Sequence, residues 1–143
     1  MPYLIDGNNV MAQRIGWHRD KAAARRRLLD ELALHGRAKG LSVSVVFDGA
    51  PDESFPDGAS YRGRVRVFYA ARGSNADERI KRIVEASRER QTLVVVTSDR
   101  ALAEYVRRCG AQTQRAGDFR RRLDDTVSSS AREAEGTSSR HVG

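Results

Sequence analysis

Apolar residues along this chain fall into short runs, separated by longer stretches in which they recur at helical spacing. Tyr3-Leu4-Ile5 is the first such run and ends at Asp6-Gly7-Asn8-Asn9, the pattern of a buried strand entering a turn. Between residues 19 and 39, Ala24, Leu28, Leu29, Leu32 and Ala33 share one helical face, and Gly40 stands where a C-terminal cap belongs. Arg25, Arg26, Arg27, Arg37 and Lys39 then line the solvated side of that helix. Ser42 to Phe47 is β-branched and ends at Asp48-Gly49, a second strand into a turn. Ala50 to Gly63 carries Pro51, Pro56, Gly58 and Gly63 and is expected to be a loop.

Arg64 to Tyr69 alternates, as a strand nearer a sheet edge does, and Asn75 to Arg90 places Ile80, Ile83, Val84 and Ser87 on one helical face. Thr92 to Thr97 is the most continuous apolar run and is expected at the centre of the sheet. A helix from Arg100 to Cys109, stopped by Gly110, leads to a short last strand at Ala111-Gln112-Thr113, and Gly117 to Leu123 adds a helical turn. Strands and helices alternate, which predicts an α/β sandwich with a mainly parallel sheet. From Asp125 onward Val127 and Val142 are the only sizeable apolar residues in a Ser/Thr-rich stretch. Residues 125–143 are therefore expected to be a disordered tail on a folded domain of residues 1–124.

Composition narrows the class. A chain of 143 residues fits one domain with a real core. No apolar run approaches the roughly 20 residues of a membrane span, and the first residues lack the pattern of a secretion signal. Cys109 is the only cysteine, so no internal disulfide forms, and its place on a helix stripe reads as a small buried hydrophobe in a cytoplasmic protein. The net charge is +7, and of 26 basic residues only Lys21, Lys39 and Lys81 are lysines. Such an Arg-rich excess favours a polyanionic partner, because the guanidinium fork matches phosphate, although codon bias alone can also enrich arginine. Trp17, Tyr61, Phe68 and Tyr69 are candidates for stacking on bases, with core packing the competing use for all four and the favoured one for Phe68.

The chemistry lies in the acids. Three predicted strands each end in an aspartate: Asp6, Asp48 and Asp99. Asp77 and Glu78 fall in the first turn of the helix entered from the third strand, on the same rim of the sheet. Carboxylates gathered in this way repel one another until a cation neutralises them. Oxygen ligands without His or Cys suit Mg²⁺ or Mn²⁺, and His18, His35 and His141 show no zinc spacing. Simpler uses compete for each acid: Asp77 and Glu78 stand at capping-box spacing from Ser74 and Asn75, Asp48-Gly49 is also an ordinary turn, and Asp99 or Ser98 can cap the next helix. Asn8 can orient Asp6 or contact phosphate, and Asn9 can be a plain turn residue.

Leu4-Ile5-Asp6-Gly7-Asn8-Asn9, Val46-Phe47-Asp48-Gly49, Ser74 to Ile80 and Val95 to Asp99 occur in that order. Together these four motifs resemble the NYN-domain family of PIN-like nucleases, closest to its bacterial YacP type, over residues 1–124. The resemblance implies a three-layer α/β/α PIN-like (Rossmann-like) fold and metal-dependent endoribonuclease activity leaving 5′-phosphate and 3′-hydroxyl ends. It implies that Asp6, Asp77 and Asp99 are the catalytic, metal-holding acids, that Asn8, Asp48, Glu78 and Ser98 support them, and that the partners are RNA and the ribosome. Asn75 departs from the Thr common before the Ala-Asp pair, and it can cap the helix equally well. Arg62, Arg64, Arg66, Arg72 and Arg100 are the candidates for gripping RNA, with the loop that carries the first of them placed near the acidic edge. A binding module that docks on RNA or the ribosome without cutting is the alternative.

Overall fold

The computed structural model describes residues 2–70 and 73–142, the side chains of 135–142 excepted. Its strands are β1 (Pro2–Asp6), β2 (Ser42–Phe47), β3 (Ser60–Tyr61), β4 (Val65–Tyr69), β5 (Val94–Val96) and β6 (Gln112–Gln114). Its helices are α1 (Gly7–Met11), α2 (Lys21–Lys39), α3 (Ala76–Ala86), α4 (Arg100–Arg108) and α5 (Ala116–Val142). The strands form one sheet in the order β3-β4-β2-β1-β5-β6, parallel throughout except for β3.

Period-two alternation divides the strand residues between two cores. Ile5, Val43, Val45, Phe47, Val67 and Val96 face α1, α2 and α5, where Leu28, Leu32, Phe119 and Leu123 meet them. Leu4, Val46 and Val95 face α3 and α4, against Ile80, Val84, Leu102 and Val106. The result is the three-layer α/β/α sandwich. Cys109 packs half-buried at the edge of the second core.

Local chemistry sets the helix ends. Asp20, Asn75 and Asp99 cap α2, α3 and α4 by accepting the backbone N–H three residues on, at 3.0 Å each. Gly40 closes α2 in the left-handed conformation, φ 65°. Gly7 matters for a different reason. A Cβ there would stand 2.6 Å from the Phe47 ring, so only glycine lets α1 start directly against β2.

The structure corrects four expectations. The Asp6-Gly7-Asn8-Asn9 turn is the entry into α1. The Ala50–Gly63 loop holds the short edge strand β3. The sheet's centre lies between β1 and β2, not at β5; the continuous apolar run of β5 reflects cover on both faces, not a central place. Finally, the expected tail is helical. α5 runs unbroken from Ala116 to Val142, and Thr126 is buried with its hydroxyl 2.7 Å from Nδ1 of the buried His35. Thr126 thus joins α5 to α2 by a polar contact that an apolar count does not register.

Candidate active site

Parallel strands bring their carboxyl ends to one rim, and the acids gather there. Asp6 ends β1 and is 5% exposed. The Thr97 hydroxyl donates to Asp6 Oδ2 at 2.9 Å and accepts from the Asp99 N–H at 3.2 Å. Thr97 thus ties the ends of two neighbouring strands to each other. Burial first, and then the charges of Asp77 and Asp48, push the Asp6 carboxyl up to about 6, with the Thr97 hydrogen bond opposing them. Asp77 is also raised, by burial first and then by Asp99 and Asp48. Asp48 thus bears on both Asp6 and Asp77, and the acids of four separate segments share one rim.

A lattice of side-chain to backbone hydrogen bonds holds this rim. Asn8 Oδ1 accepts from the Asp48 N–H at 3.0 Å, and Asn9 Oδ1 accepts from the Ser98 N–H at 2.8 Å. Asp48 Oδ1 accepts from the Ala76 N–H at 2.7 Å, which draws the start of α3, and with it Asp77, onto the rim. Ser98 Oγ accepts from the Ala116 N–H at 3.0 Å, at the start of α5. Arg25 crosses from α2 to donate to the carbonyls of Asp48 and Ala50, while its guanidinium lies over the rings of Phe47 and Tyr69.

Asp6, Asp48, Asp77 and Asp99 converge. Asn8 bears on Asp48, and Asn9 is a strut to Ser98 as well as part of the chain reversal. Glu78 takes the capping-box position opposite Asn75, which leaves Asp77 out of the cap. Asp99 caps α4 and also faces Asp77. Arg100 opens α4 on the rim.

The other arginines stand elsewhere. Register puts Val65 beside Val43 and Tyr69 beside Phe47, so Arg62, Arg64 and Arg66 lie toward the opposite end of the sheet from the acids. Their expected placement near the acidic edge is corrected: β4 runs toward the rim, and the turn before it is at the far pole. Arg62 is also ion-paired with Asp30 at 3.2 Å. Arg72 lies outside the described residues. Tyr61 and Tyr69 are buried in the core and offer no face for stacking; Trp17 is half-buried, with Lys21 over its ring. The sequence reading missed Thr97 and Arg25. A polar residue closing a buried apolar strand was a signal for Thr97, whereas nothing local separates Arg25 from its neighbours on α2.

Among the described residues, no three His, Cys, Asp or Glu side chains form a ready-made metal cage. The donor set is nonetheless all oxygen, and Lys81 offsets the crowding at Asp77 without returning its carboxyl to the ordinary range. Mg²⁺ is commonly held by one or two carboxylates, with water and substrate phosphate completing its shell, so the residues present fit such an ion.

The parallel α/β/α sandwich with aspartates at its strand ends is the arrangement of a PIN-like fold, and the family and fold matches support nuclease-type, RNA-related chemistry. Residues 3–142 match the YacP-like NYN domain, and the chain belongs to that family. Its fold is similar to the crystal structure of Rae1 (YacP) from Bacillus subtilis, with TM-score 0.79 and 23% identity over 99% of this chain and 83% of that one. A single-site variant of the same protein gives TM-score 0.77 and 24% identity over 97% and 84%. No curated protein sequence matches this chain. Among the described residues, no helix is long and apolar enough to cross a membrane.

Proposed function

We propose that the chain is an endoribonuclease that depends on Mg²⁺ or Mn²⁺, with Asp6, Asp77 and Asp99 as the acids that hold the ion. The observation that carries this reading is that Asp6 and Asp77 are both raised, by burial first and then by neighbouring aspartates, on a rim shared with Asp48 and Asp99. A fold gains nothing in stability by burying a carboxylate among others, whereas a cation site needs that arrangement.

Each side chain has a defined task. Thr97 fixes the Asp6 carboxylate by donating to one of its oxygens. Asn8 holds the β2 end to α1, and Asp48 holds it to the α3 start, so that Asp77 faces Asp99. Arg100 offers a guanidinium for the RNA phosphate beside them. A divalent ion on these acids supplies Lewis acidity toward a phosphodiester oxygen and lowers the pKa of water. The proposed setting is the cytoplasm, with RNA on the ribosome as the substrate.

The reading that competes is an RNA- or ribosome-binding module without cleavage. The test is cleavage of labelled RNA by wild type and Asp77→Asn, in Mg²⁺ and then in EDTA. Wild type should cut only with the metal. The variant should lose at least the 10–100-fold typical of disturbed metal-site partners, while still binding RNA. An Asp77→Asn protein that cuts at the wild-type rate would sink the proposal, and a wild type that binds RNA but never cuts would favour the binding module.

A further inference from the structure

The acidic rim opens sideways into a cleft of about 760 Å³ between α4 and the β6–α5 edge. One wall is a single stripe of α4: Arg100, Ala103, Glu104 and Arg107, at positions i, i+3, i+4 and i+7. The opposite wall holds Thr113, Gln114, Arg115 and Asp118. Asp99 belongs to both the rim and the cleft, so the two are continuous.

The charge pattern points to an anion. The wall carboxylates are already paired: Glu104 with Arg108 at 2.6 Å and Asp118 with Arg121. Arg100, Arg107 and Arg115 are exposed and, among the described residues, have no carboxylate partner. Arg107 Nη1 donates to Thr113 Oγ1 at 3.0 Å, which aims its guanidinium across the cleft. Arg100 and Arg107 are separated by two helical turns, about 10 Å, so the free charge is strung along a line. A compact anion would meet one guanidinium; an extended polyanion can meet all three.

We propose that this cleft is the track for the phosphate backbone of one RNA strand adjoining the acids, with Arg100, Arg107 and Arg115 as its phosphate contacts. The proposal rests on the reading of the chain as a nuclease acting on RNA, and it deepens that reading by giving the strand a path. Guanidinium forks suit the task because they bind phosphate oxygens two at a time. The contacts carry no base information, so the track holds any sequence and weakens as salt rises.

The test is fluorescence anisotropy of a labelled oligouridylate in EDTA across a salt series, which separates binding from cutting. Three proteins are compared: wild type, the double variant Arg107→Ala with Arg115→Ala, and the far-pole control Arg62→Ala with Arg64→Ala. The cleft variant should bind more weakly at low salt. Its log–log salt slope should be shallower than that of wild type by about 1.4, at about 0.7 per lost phosphate contact on a single strand. The control should keep the wild-type slope. A cleft variant indistinguishable from wild type, a control that carries the loss, or a wild type that binds no RNA would each overturn the track. Binding through the cleft without any cleavage in Mg²⁺ would leave the track standing and remove the nuclease reading. Cleavage by a protein whose cleft variant binds normally would do the reverse.

Discussion

Asp6 carries the largest electrostatic cost among the rim acids. Its carboxyl releases a proton near 3.8 in an unfolded chain and at about 6 in the folded one. Between those values the folded state binds more protons, so stability falls as pH rises through the window and stays lower above it. A shift of that size corresponds to about 3 kcal/mol. In EDTA, Asp6→Asn should therefore raise the melting temperature at pH 7 to 8, and the gain should fade below pH 4. Thermal scans of both proteins from pH 3.5 to 8 check this. Mg²⁺ should raise the wild type's melting temperature and leave the variant's unchanged. A gap that does not vary with pH would mean that Asp6 is not strained by burial and neighbouring charge. Thr97 completes this picture: its hydroxyl holds the charged form of Asp6 and resists the full cost of burial.

At the scale of elements, the site depends on how closely α1 approaches β2. α1 is five residues long and starts directly at Asp6, so any shift of the helix moves the acid. Gly7→Ala sets a Cβ against both the Phe47 ring and Val45, at 2.6 and 2.9 Å. Overpacking of this kind costs about 1–3 kcal/mol, and it should lower cleavage as well as stability. Urea denaturation paired with an RNA-cleavage assay reads both. Unchanged stability would show that Phe47 can turn aside without cost. The same logic explains Asp48, whose bond to the Ala76 N–H positions α3 while α3 presents Asp77.

Across the whole molecule, a buried ionic knot joins the loop after α1 to α2 and α5. Glu31 accepts from Arg120 at 3.1 Å and from Arg14 at 2.7 Å, and Arg14 reaches on to Asp124 at 3.1 Å. Glu31 and Arg120 are each 8% exposed at the side chain. Taking away one partner leaves the other charge buried, so Glu31→Gln should destabilise the fold by about 3–5 kcal/mol. Equilibrium denaturation measures it, and a loss below 1 kcal/mol would show that Arg120 finds water instead. Through this knot, and through Ser98 bound to the start of α5, the last helix is tied to the active rim rather than appended to the fold.

The alternation of strands and helices, most strand positions, and the acids that close β1, β2 and the turn before α4 were legible along the chain. These properties are local: period-two and helical spacing, Gly and Asn at turns, and an Asp after an apolar run. What depends on partners distant in sequence was not legible there. Thr126 on α5 meets His35, 91 residues away, and Arg25 meets the β2 end because two layers are stacked. The direction of β4 sent Arg62, Arg64 and Arg66 to the far pole, a matter of sheet register that no segment carries alone. That Arg100, Arg107 and Arg115 share one cleft beside Asp99 follows from how α4 packs against β6 and the start of α5. Burial, register and long-range charge are properties of the assembled layers.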